Sequence, residues 1–481
     1  MSRKEYDSLG VVEVDNKHLW GAQTQRSLLH FKIGDELIPN DVIKAFGYLK
    51  KAAAETNYKL KLIKEPIKNI ICKVCDEIIA DKLKEEFPLH VWQTGSGTQT
   101  NMNVNEVISN RSIQILKGKL GSKTPVHPND HVNKSQSSND TFMTAGHIAI
   151  VSLINKELLP SIVYMIKNLK KKEKDFEHII KIGRTHLQDA VPLSLGQEFS
   201  GYIALIETSL ASIKSSLKNL YHLAIGGTAV GTGLNTDARF ASLVANKIAS
   251  LTKLPFKTAP NKFEVLSSHD ALVICSASLK SLAVNIMKIA NDFRWMGSGP
   301  RTGIGELILP QNEPGSSIMP GKVNPTQCEA ATMVAIQVIA NDVSISTANS
   351  QGNFELNVFK PLMVYNIIQS IKLLTGVCTN LTKFLIIGVK ANTKKIQSNV
   401  ENSLMLVTAL SPIIGYEKSA KMAEYAYEKN ISLRDANKKL NFLSDEDFNK
   451  YIDPKKMIYP KPLFTGLQNS VSPSSKKLTK K

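Results

Sequence analysis

Cysteines, aromatic residues and long apolar runs are all scarce in this chain of 481 residues. Five cysteines are too few, and odd in number, for a disulfide framework, which favours a reducing compartment. No run approaches the roughly 18 apolar residues of a membrane span, so we expect no membrane-spanning segment. The N-terminus lacks the apolar core of a secretory signal. These absences predict a cytoplasmic protein that does not associate with membranes.

Motifs that hold metals or organic cofactors are also missing. Cys72 and Cys75 form a C-x-x-C, but it lies in an apolar-periodic stretch without a second Cys or His pair at zinc-finger spacing. Buried helix cysteines are therefore the simpler interpretation. No G-x-G-x-x-G follows a strand signal, and there is no phosphate-binding P-loop. The sequence predicts neither a metal nor a nicotinamide, flavin or nucleotide cofactor.

The formal net charge of +18 invites a nucleic-acid interpretation. The lysines are nevertheless spread along the chain, with clusters at 167–174 and in the C-terminal tail, and no nucleic-acid-binding motif accompanies them. We therefore expect solvated lysine-rich faces and no nucleic-acid partner. The positive field would still attract a small dianion.

Long helices with apolar seams are expected in the middle of the chain. Apolar residues from Ile203 to Leu220 and from Leu279 to Phe293 recur every three or four residues, and a third candidate helix runs from about Thr144 to Lys172. Such helices pack as a bundle, which often extends across subunits. The predicted organisation is a mainly helical N-terminal domain (1–137), a central helical bundle (138–392), a small C-terminal helical domain (393–460) and a Lys/Ser-rich, disordered tail (461–481).

Four polar segments interrupt this helical pattern, at 95–106, 127–140, 183–190 and 315–324. The last reads G-S-S-I-M-P-G-K-V-N, and its Gly and Pro residues mark a loop. Its hydroxyls, its lysine and its free backbone N–H groups could hold an anion, although an ordinary solvated turn is the alternative. Together the four segments offer hydroxyls, amides, a histidine and a lysine with few carboxylates. That set suits a small anionic ligand better than a divalent metal.

These segments resemble the class II fumarases of the fumarase/aspartase superfamily. The resemblance extends from W-G-A-Q-T-Q-R-S (20–27) through G-G-T-A-V-G-T-G-L-N-T (226–236), S-G-P-R-T-G-I-G-E-L (298–307) and G-N-F-E-L-N-V-F-K-P (352–361) to the segment 402–421. It implies reversible hydration of fumarate to L-malate, a step of the tricarboxylic acid cycle, without a metal or organic cofactor. It also implies a mostly α, three-domain fold and a homotetramer. The long helices of that tetramer would form a shared bundle, and each active site would be built from three subunits.

The resemblance also assigns roles to single residues. Ser316 would be the base that removes a proton next to a carboxylate, with its oxyanion stabilised by the N–H groups of its own loop. His186 would act on the leaving hydroxyl through water, oriented by Glu329; an isolated histidine in R-T-H-L-Q is otherwise more often structural. The implied substrate-binding residues are Ser96, Gly97, Thr98, Asn101, Ser137, Ser138, Asn139, Thr185, Ser317, Lys322, Val323 and Asn324.

Some alternatives stay open at this stage. His127, Pro128, Asn129 and Asp130 match a second dicarboxylate site of the family, and an ordinary helix-capping turn is the other interpretation. Aspartate ammonia-lyase shares the S-S-I-M-P loop and the proton abstraction, but its loop usually continues A-K-V-N-P-V, against G-K-V-N-P-T-Q-C-E here. A non-catalytic scaffold with the same fold is the remaining alternative, and the retained catalytic residue types argue against it.

Overall fold

Helices dominate the structure, a computed structural model that describes residues 1–460. The α-helices of these residues are α1 (Ala22–His30), α2 (Asn40–Lys59), α3 (Glu65–Ile79), α4 (Thr98–Ile115), α5 (Ser138–Leu153), α6 (Leu159–Asp175), α7 (Leu195–Leu220), α8 (Phe240–Thr252), α9 (Glu264–Ser267), α10 (Asp270–Met296), α11 (Thr326–Asn349), α12 (Lys360–Leu381), α13 (Thr393–Asn402), α14 (Ser411–Ile414), α15 (Tyr416–Glu428), α16 (Leu433–Leu440) and α17 (Asp445–Tyr451). The strands are β1 (Ser2–Asp7), β2 (Gly10–Asp15), β3 (Ile180–Thr185), β4 (Gln188–Ser194), β5 (His222–Leu223), β6 (Lys257–Thr258), β7 (Leu307–Ile308) and β8 (Lys390–Ala391). This composition confirms the mostly α fold class.

The described chain divides into two compact units. The first comprises Met1–Lys171 and Gly201–Lys390, and the second comprises Lys172–Ser200 and the chain from Ala391 onward. Two of the unit boundaries fall inside α6 and α7. The three-domain division stays a prediction, and the tail at 461–481 lies outside the described residues.

The first unit is built on long helices packed through the predicted apolar seams. Helix α11 packs against both α10 and α12. In α10 the seam from Leu279 to Phe293 is buried, and in α7 the residues Ile203, Ile206 and Ile213 are buried as well. Each fully buried Leu or Ile contributes about 1.5–3 kcal/mol, so these seams are the core of the unit. Both seam predictions are confirmed.

The third predicted helix is longer than the sequence indicated. Residues Ser138–Asp175 form one continuous helical stretch, with a π-helical turn at Ile154–Leu158 between α5 and α6. Pro160 follows that turn and has no N–H to donate to the carbonyl four residues earlier. The wider π turn ends two residues before the proline and contains that carbonyl, where the α-helical bonding pattern would otherwise fail.

Four helical stretches are long and apolar enough, by length and composition alone, to cross a membrane. They are Ser138–Asp175, Asp270–Met296, Thr326–Asn349 and Lys360–Ile386, with mean hydropathies of 1.2 to 1.5. The expectation that no such segment exists is therefore wrong on that criterion. Alanines, serines and threonines separate the large apolar residues here, so no unbroken apolar run is visible even though charges are few. Between 39% and 56% of each apolar window is buried inside the structure.

A buried carboxylate fixes the first helix of the first unit. Glu106 on α4 accepts hydrogen bonds from the backbone N–H groups of Gly21 (2.9 Å), Gln23 (2.8 Å) and Thr24 (3.1 Å), and from the Thr24 hydroxyl (2.6 Å). These N–H groups belong to the start of α1 and have no partner within the helix. The motifs at 20–27 and 95–106 are therefore joined by a helix cap.

The second unit has its own small core. Ile182, Leu410, Met422, Ala436 and Phe448 pack there in one buried cluster. Helix α17 begins as predicted, because the Ser444 hydroxyl accepts the N–H of Asp447 at 3.0 Å and acidic residues fill the first turn.

Cys72 and Cys75 lie on a helix, α3, as the sequence predicted; Cys75 is buried, but Cys72 is only half-buried. Burial raises the pKa of Cys72 to about 11 and the pKa of Cys275, Cys328 and Cys378 to about 12. Thiols held in this neutral form are poor nucleophiles and poor metal ligands.

Candidate active site

Hydroxyl groups from two polar segments meet in the first unit. Ser96 Oγ lies 2.8 Å from Thr98 Oγ1, which in turn lies 2.8 Å from Ser138 Oγ. Gly97 makes the turn into α4 with a φ of +75°, and a Cβ there would lie 2.2 Å from the ring of Phe142. Only glycine fits this position, and its absent side chain lets the loop approach α5 closely. The predicted residues Ser96, Gly97, Thr98 and Ser138 are thus brought together.

The N-terminus of α5 lies beside this hydroxyl cluster, because Ser138 is the first residue of the helix. Ser137 caps the helix, with its Oγ accepting the Asn139 N–H at 3.2 Å, while Asp140 Oδ1 accepts the Ser137 N–H at 3.1 Å. This is a capping box, and the helix dipole at such an end favours an anion. Asn139 is held further by its side-chain amide, which donates to the carbonyl of Ala229 at 2.8 Å.

Asp140 ties a third segment to the cluster. Its Oδ2 accepts the N–H groups of Gly226 (3.0 Å) and Thr228 (2.8 Å), which lie in the G-G-T-A turn. Burial raises the pKa of Asp140 to about 6, although its three backbone donors act in the opposite direction. The carboxylate therefore acts as a structural acceptor and not as a group facing solvent.

Asn101 is held by a buried lysine. Lys50 on α2 donates to Asn101 Oδ1 (2.8 Å), Asn133 Oδ1 (3.1 Å) and Gln136 Oε1 (3.0 Å). Thr141 donates to the same Asn101 oxygen at 3.0 Å, so the oxygen is saturated and the amide nitrogen must supply any contact to a ligand. Burial lowers the pKa of Lys50 to about 7.

A second buried lysine, Lys360, bonds to both of the polar segments at 95–106 and 127–140. The backbone N–H of Lys360, at the start of α12, donates to the carbonyl of Gly95 at 3.0 Å. Its Nζ donates to the carbonyl of Asn139 at 2.8 Å. The side chain is fully buried, and burial lowers its pKa to about 7.

The loop at 315–324 is closed by bonds between its two ends. The Gly315 N–H donates to the carbonyl of Lys322 at 3.1 Å, and the Asn324 side-chain amide donates to the carbonyl of Gly315. Ser316 is half-buried, and its Oγ accepts two backbone N–H groups, from Ile318 at 3.2 Å and from Met319 at 3.0 Å. Two N–H groups of the loop therefore donate to the serine oxygen, and the catalytic role of Ser316 stays a prediction.

The other residues of this loop face outward. Ser317, Lys322 and Val323 are exposed, and the Ile318 side chain is 83% exposed. Glu329 lies in the first turn of α11 and is exposed too. Among residues 1–460, no hydrogen bond or ion pair joins these side chains to the hydroxyl cluster.

Thr185 and His186 lie in the second unit, at the tip of the hairpin formed by β3 and β4. Thr185 pairs with Gln188, so His186 and Leu187 are the two central residues of the turn. Both have a left-handed backbone, with φ of +56° and +61°. A two-residue turn with two positive φ values matches the twist of the strands, but asparagine and glycine are its usual residues. His186 is thereby fixed on a short turn and presented to solvent.

The segment proposed as a second dicarboxylate site forms a π-helical turn at Pro128–Val132. His127 Nδ1 accepts the N–H groups of Asn129 (3.2 Å) and Asp130 (3.1 Å), so the ring proton is on Nε2. The cavity beside Asn129 is lined by three carboxylates and a single lysine, at Glu5, Asp7, Glu106 and Lys123. The capping turn of the alternative interpretation is present, and the second site stays a prediction.

Three charged residues of this region were missed from the sequence: Lys50, Asp140 and Lys360. A signal existed for Lys50, because Phe46, Leu49 and Ala53 lie on the same helical face and are buried. No comparable signal marks Lys360, whose position in F-K-P reads as an ordinary helix start.

Comparison with known proteins identifies the family. The family profile described as lyase matches residues 10–340, and the profile described as the fumarase C C-terminus matches residues 406–459. The mitochondrial fumarate hydratase of Homo sapiens is 56% identical over 461 residues, covering 95% of this chain and 90% of that protein. The class II fumarate hydratase of Campylobacter jejuni is 55% identical over 459 residues, covering 95% and 99%.

Solved structures agree with the sequence relatives. A class II fumarase from Schistosoma mansoni superposes with a TM-score of 0.94 at 44% identity, covering 96% of this chain and all of that one. A protein from Brucella melitensis described as fumarate lyase:delta crystallin superposes with a TM-score of 0.92 at 38% identity, with the same coverage.

Proposed function

The chain belongs to the class II fumarases, the hydro-lyases that interconvert fumarate and L-malate, and on this premise we propose that Ser316 is the base of the reaction. Dehydration of malate removes a proton from the carbon next to a carboxylate. The electrons left behind move into that carboxylate and form an aci-carboxylate. The site must therefore supply a base on one side of this carbon and hydrogen-bond donors around the carboxylate.

The observation that carries this proposal is the pair of N–H groups that point at Ser316 Oγ, from Ile318 and Met319. An ordinary serine is far too weak a base, so its alkoxide must be stabilised strongly. One donor aimed at a developing oxyanion contributes about 2.7–4 kcal/mol in sites of this kind. The exposed Lys322 ammonium on the same loop adds a positive charge that would attract a dianionic substrate.

Departure of the hydroxyl group needs an acid, and we assign this step to His186 acting through a water molecule. Glu329 would accept a hydrogen bond from the imidazole and favour its charged form. The short hairpin turn supports this role, because it sets the backbone conformation at His186 and leaves the side chain exposed to a ligand. Thr185, next to it, would contact a substrate carboxylate.

We assign the grip on the substrate to neutral donors. The hydroxyls of Ser96, Thr98 and Ser138 already lie within hydrogen-bond distance of one another, and Asn139 and the α5 N-terminus lie beside them. Neutral donors strengthen their hold as negative charge develops, without binding the ground state too tightly. Ser317 and Asn324 would complete the set from the catalytic loop.

We propose that four chains assemble through the long helices. Helix α11 exposes a stripe of apolar residues three and seven positions apart, which are Met333, Ile336 and Val343. Helix α10 exposes Ile274, Val284 and Trp295, which are ten and eleven positions apart. Exposed apolar residues on neighbouring long helices fit a bundle shared between subunits. Glu329 lies at the start of the α11 stripe, which would place it in the same interface.

The cellular location stays a prediction of the sequence. The relatives include a mitochondrial protein of Homo sapiens and class II proteins of Methanosarcina acetivorans and Campylobacter jejuni. Cell fractionation with the full chain distinguishes the expected cytoplasmic location from an organellar one.

Malate formation from fumarate by the purified chain, measured by identifying the product with and without ammonium, tests the function. We expect malate in both cases; aspartate formed with ammonium would indicate an ammonia-lyase instead. Ser316→Ala should lower kcat at least about 100-fold. Ser122→Ala is the matched control, since Ser122 Oγ also accepts a loop N–H, from Thr124 at 3.3 Å, and should leave kcat unchanged. Retained turnover in Ser316→Ala would assign the base elsewhere.

A further inference from the structure

Lys360 is a buried lysine without a counterion among the described residues. Its side chain is fully buried, and its Nζ makes one hydrogen bond among the described residues, to the carbonyl of Asn139 at 2.8 Å. An ammonium has three N–H groups, so two of them have no partner in the described part of the chain. Within residues 1–460 no carboxylate lies at ion-pair distance from Nζ.

Asp140 is the negative group that acts on Lys360, but it makes no ion pair with the lysine and does not neutralise its charge. The carboxylate oxygens accept hydrogen bonds from the N–H groups of Ser137, Gly226 and Thr228. It also faces two further lysines, Lys50 and Lys262. Asp140 is thus shared with other groups, and a protonated Lys360 remains a surplus positive charge inside the first unit.

The position of Lys360 places this positive charge next to both hydroxyl-bearing segments. Its backbone N–H holds Gly95 and its Nζ holds Asn139, so one residue joins the loop that carries Ser96 and Thr98 to the helix end that carries Ser138. The charge therefore lies directly behind the hydroxyl cluster. Burying an unpaired charge is costly, which is why burial lowers the pKa of Lys360 to about 7; a dianion bound beside the lysine would favour its charged form.

We propose that Lys360 is a positioning residue of the fumarate site, which keeps the two hydroxyl-bearing segments in register and places a positive charge behind them for one substrate carboxylate. This inference rests on the proposed function of the hydroxyl cluster as the substrate grip. A dianion bound at the hydroxyls would compensate the lysine charge, and the lysine would raise the affinity for dianions over monoanions.

A purely structural tie predicts different results from a tie that also carries charge. Lys360→Met removes both the bond and the charge. Lys360→Gln keeps an amide that can reach toward the Asn139 carbonyl and removes only the charge. Lys262→Met is the matched control, because Lys262 is a largely buried lysine that donates to a backbone carbonyl, that of Leu223 at 2.6 Å, and bonds to neither hydroxyl-bearing segment.

The experiment measures succinate binding by calorimetry, fumarate turnover and thermal unfolding for the wild type and the three variants. We expect the dissociation constant for succinate to rise at least about 10-fold in Lys360→Met and Lys360→Gln, and to stay within about 2-fold in Lys262→Met. The affinity for the monoanion succinamate should fall much less. The unfolding temperature of Lys360→Met should equal or exceed that of the wild type, since an unpaired buried charge has been removed.

Two results would overturn the inference. One is succinate affinity unchanged in Lys360→Met. The other is a combined result, in which Lys360→Met unfolds at a lower temperature than the wild type and Lys360→Gln binds succinate as tightly as the wild type. That result would show that the lysine only connects the two segments and that its charge has no role in binding. Failure of the proposed function is a separate result: a wild type that binds succinate but forms no malate refutes the hydratase assignment, while the binding comparison still decides the role of the lysine.

Discussion

Gly315→Ala tests whether closure of the loop at 315–324 positions Ser316, the proposed base. Gly315 precedes the serine and is bonded at both of its backbone groups, through its N–H to the Lys322 carbonyl and through its carbonyl to the Asn324 amide. A methyl group at this position would lie 2.1 Å from the Lys322 oxygen and 3.2 Å from the Asn324 nitrogen. The substitution adds one carbon at the point where the two ends of the loop touch.

The structure sets the size of the effect. Non-bonded carbon and oxygen atoms need about 3.5 Å, so the two loop ends must separate by more than about 1 Å. That movement breaks the Gly315 to Lys322 hydrogen bond and carries Ser316 with it. Misplacement of a reacting group by about 1 Å can cost about 100-fold in rate, or about 2.7 kcal/mol of transition-state stabilisation. Most of the loop is exposed, so we expect the unfolding free energy to change by less than about 1 kcal/mol.

Steady-state fumarate hydration at saturating substrate is the assay, and two other glycines provide controls. Gly321 lies in the same loop with a φ of +80° and open space around a new Cβ. Gly321→Ala therefore adds about 1–2 kcal/mol of backbone strain without a clash, and should lower kcat less than 10-fold. Gly201 is exposed on α7 with open space around it, so Gly201→Ala should leave kcat unchanged and stabilise the helix by about 0.5–1 kcal/mol.

The three variants make the same chemical change in different surroundings, so their order is the test. We expect the loss of kcat to be largest for Gly315→Ala, smaller for Gly321→Ala and absent for Gly201→Ala. A Gly315→Ala enzyme that keeps more than a third of the wild-type kcat would show that loop closure does not position the base.

Three further predictions concern stability, each measured by urea unfolding. Because burial lowers the pKa of Lys360 to about 7 while an unfolded lysine titrates near 10.5, the unfolded state binds more protons between these values. The unfolding free energy of the wild type relative to that of Lys360→Met should thus rise from pH 7 to 9 by up to about 1.4 kcal/mol per pH unit. Asp140 and His269, which face the lysine, are present in both proteins and so do not change this difference. A difference that does not vary with pH would contradict the shifted pKa. Glu106→Ala should lower the unfolding free energy by about 3 kcal/mol, because it leaves the buried N–H groups that begin α1 without an acceptor. Glu106→Gln should lower it less, and equal losses in the two variants would show that the carboxylate does not act as the cap. Leu187→Asn should stabilise the hairpin by up to about 1 kcal/mol, because asparagine tolerates the left-handed backbone, and no change would mean that this turn is not strained.

The helical scaffold could be predicted from the sequence because its signal is local. The seams of α7 and α10 repeat every three or four residues, and each buried position follows from its neighbours on the same helix. The capped start at Ser444 follows from four consecutive residues in the same way. The membrane criterion failed for a related reason, since a search for unbroken apolar runs misses helices in which small residues separate the large ones.

The candidate site was only partly predictable, because its parts meet through contacts between distant segments. The motifs pointed to hydroxyls at 96, 98 and 138, but nothing local indicated that Thr98 and Ser138 would lie 2.8 Å apart. The buried charges were the main omission. A lysine or a carboxylate in a sequence reads as a solvated residue, and only its packing shows that Asp140 and Lys360 are inside.

The bond from Lys360 to Asn139 has a consequence for the order in which a new chain becomes competent. The two residues are separated by 221 positions, and Gly95 lies further upstream still. A ribosome releases the N-terminal third of the chain, with the hydroxyls of the 95–106 and 127–140 segments, long before it reaches Lys360. Until then these segments have the contacts between Thr98 and Ser138 and through Lys50, but they lack the tie and the charge that Lys360 supplies. Ligand affinity should therefore arise late in synthesis, so that truncated products carry most of the binding residues and yet do not compete for the substrate.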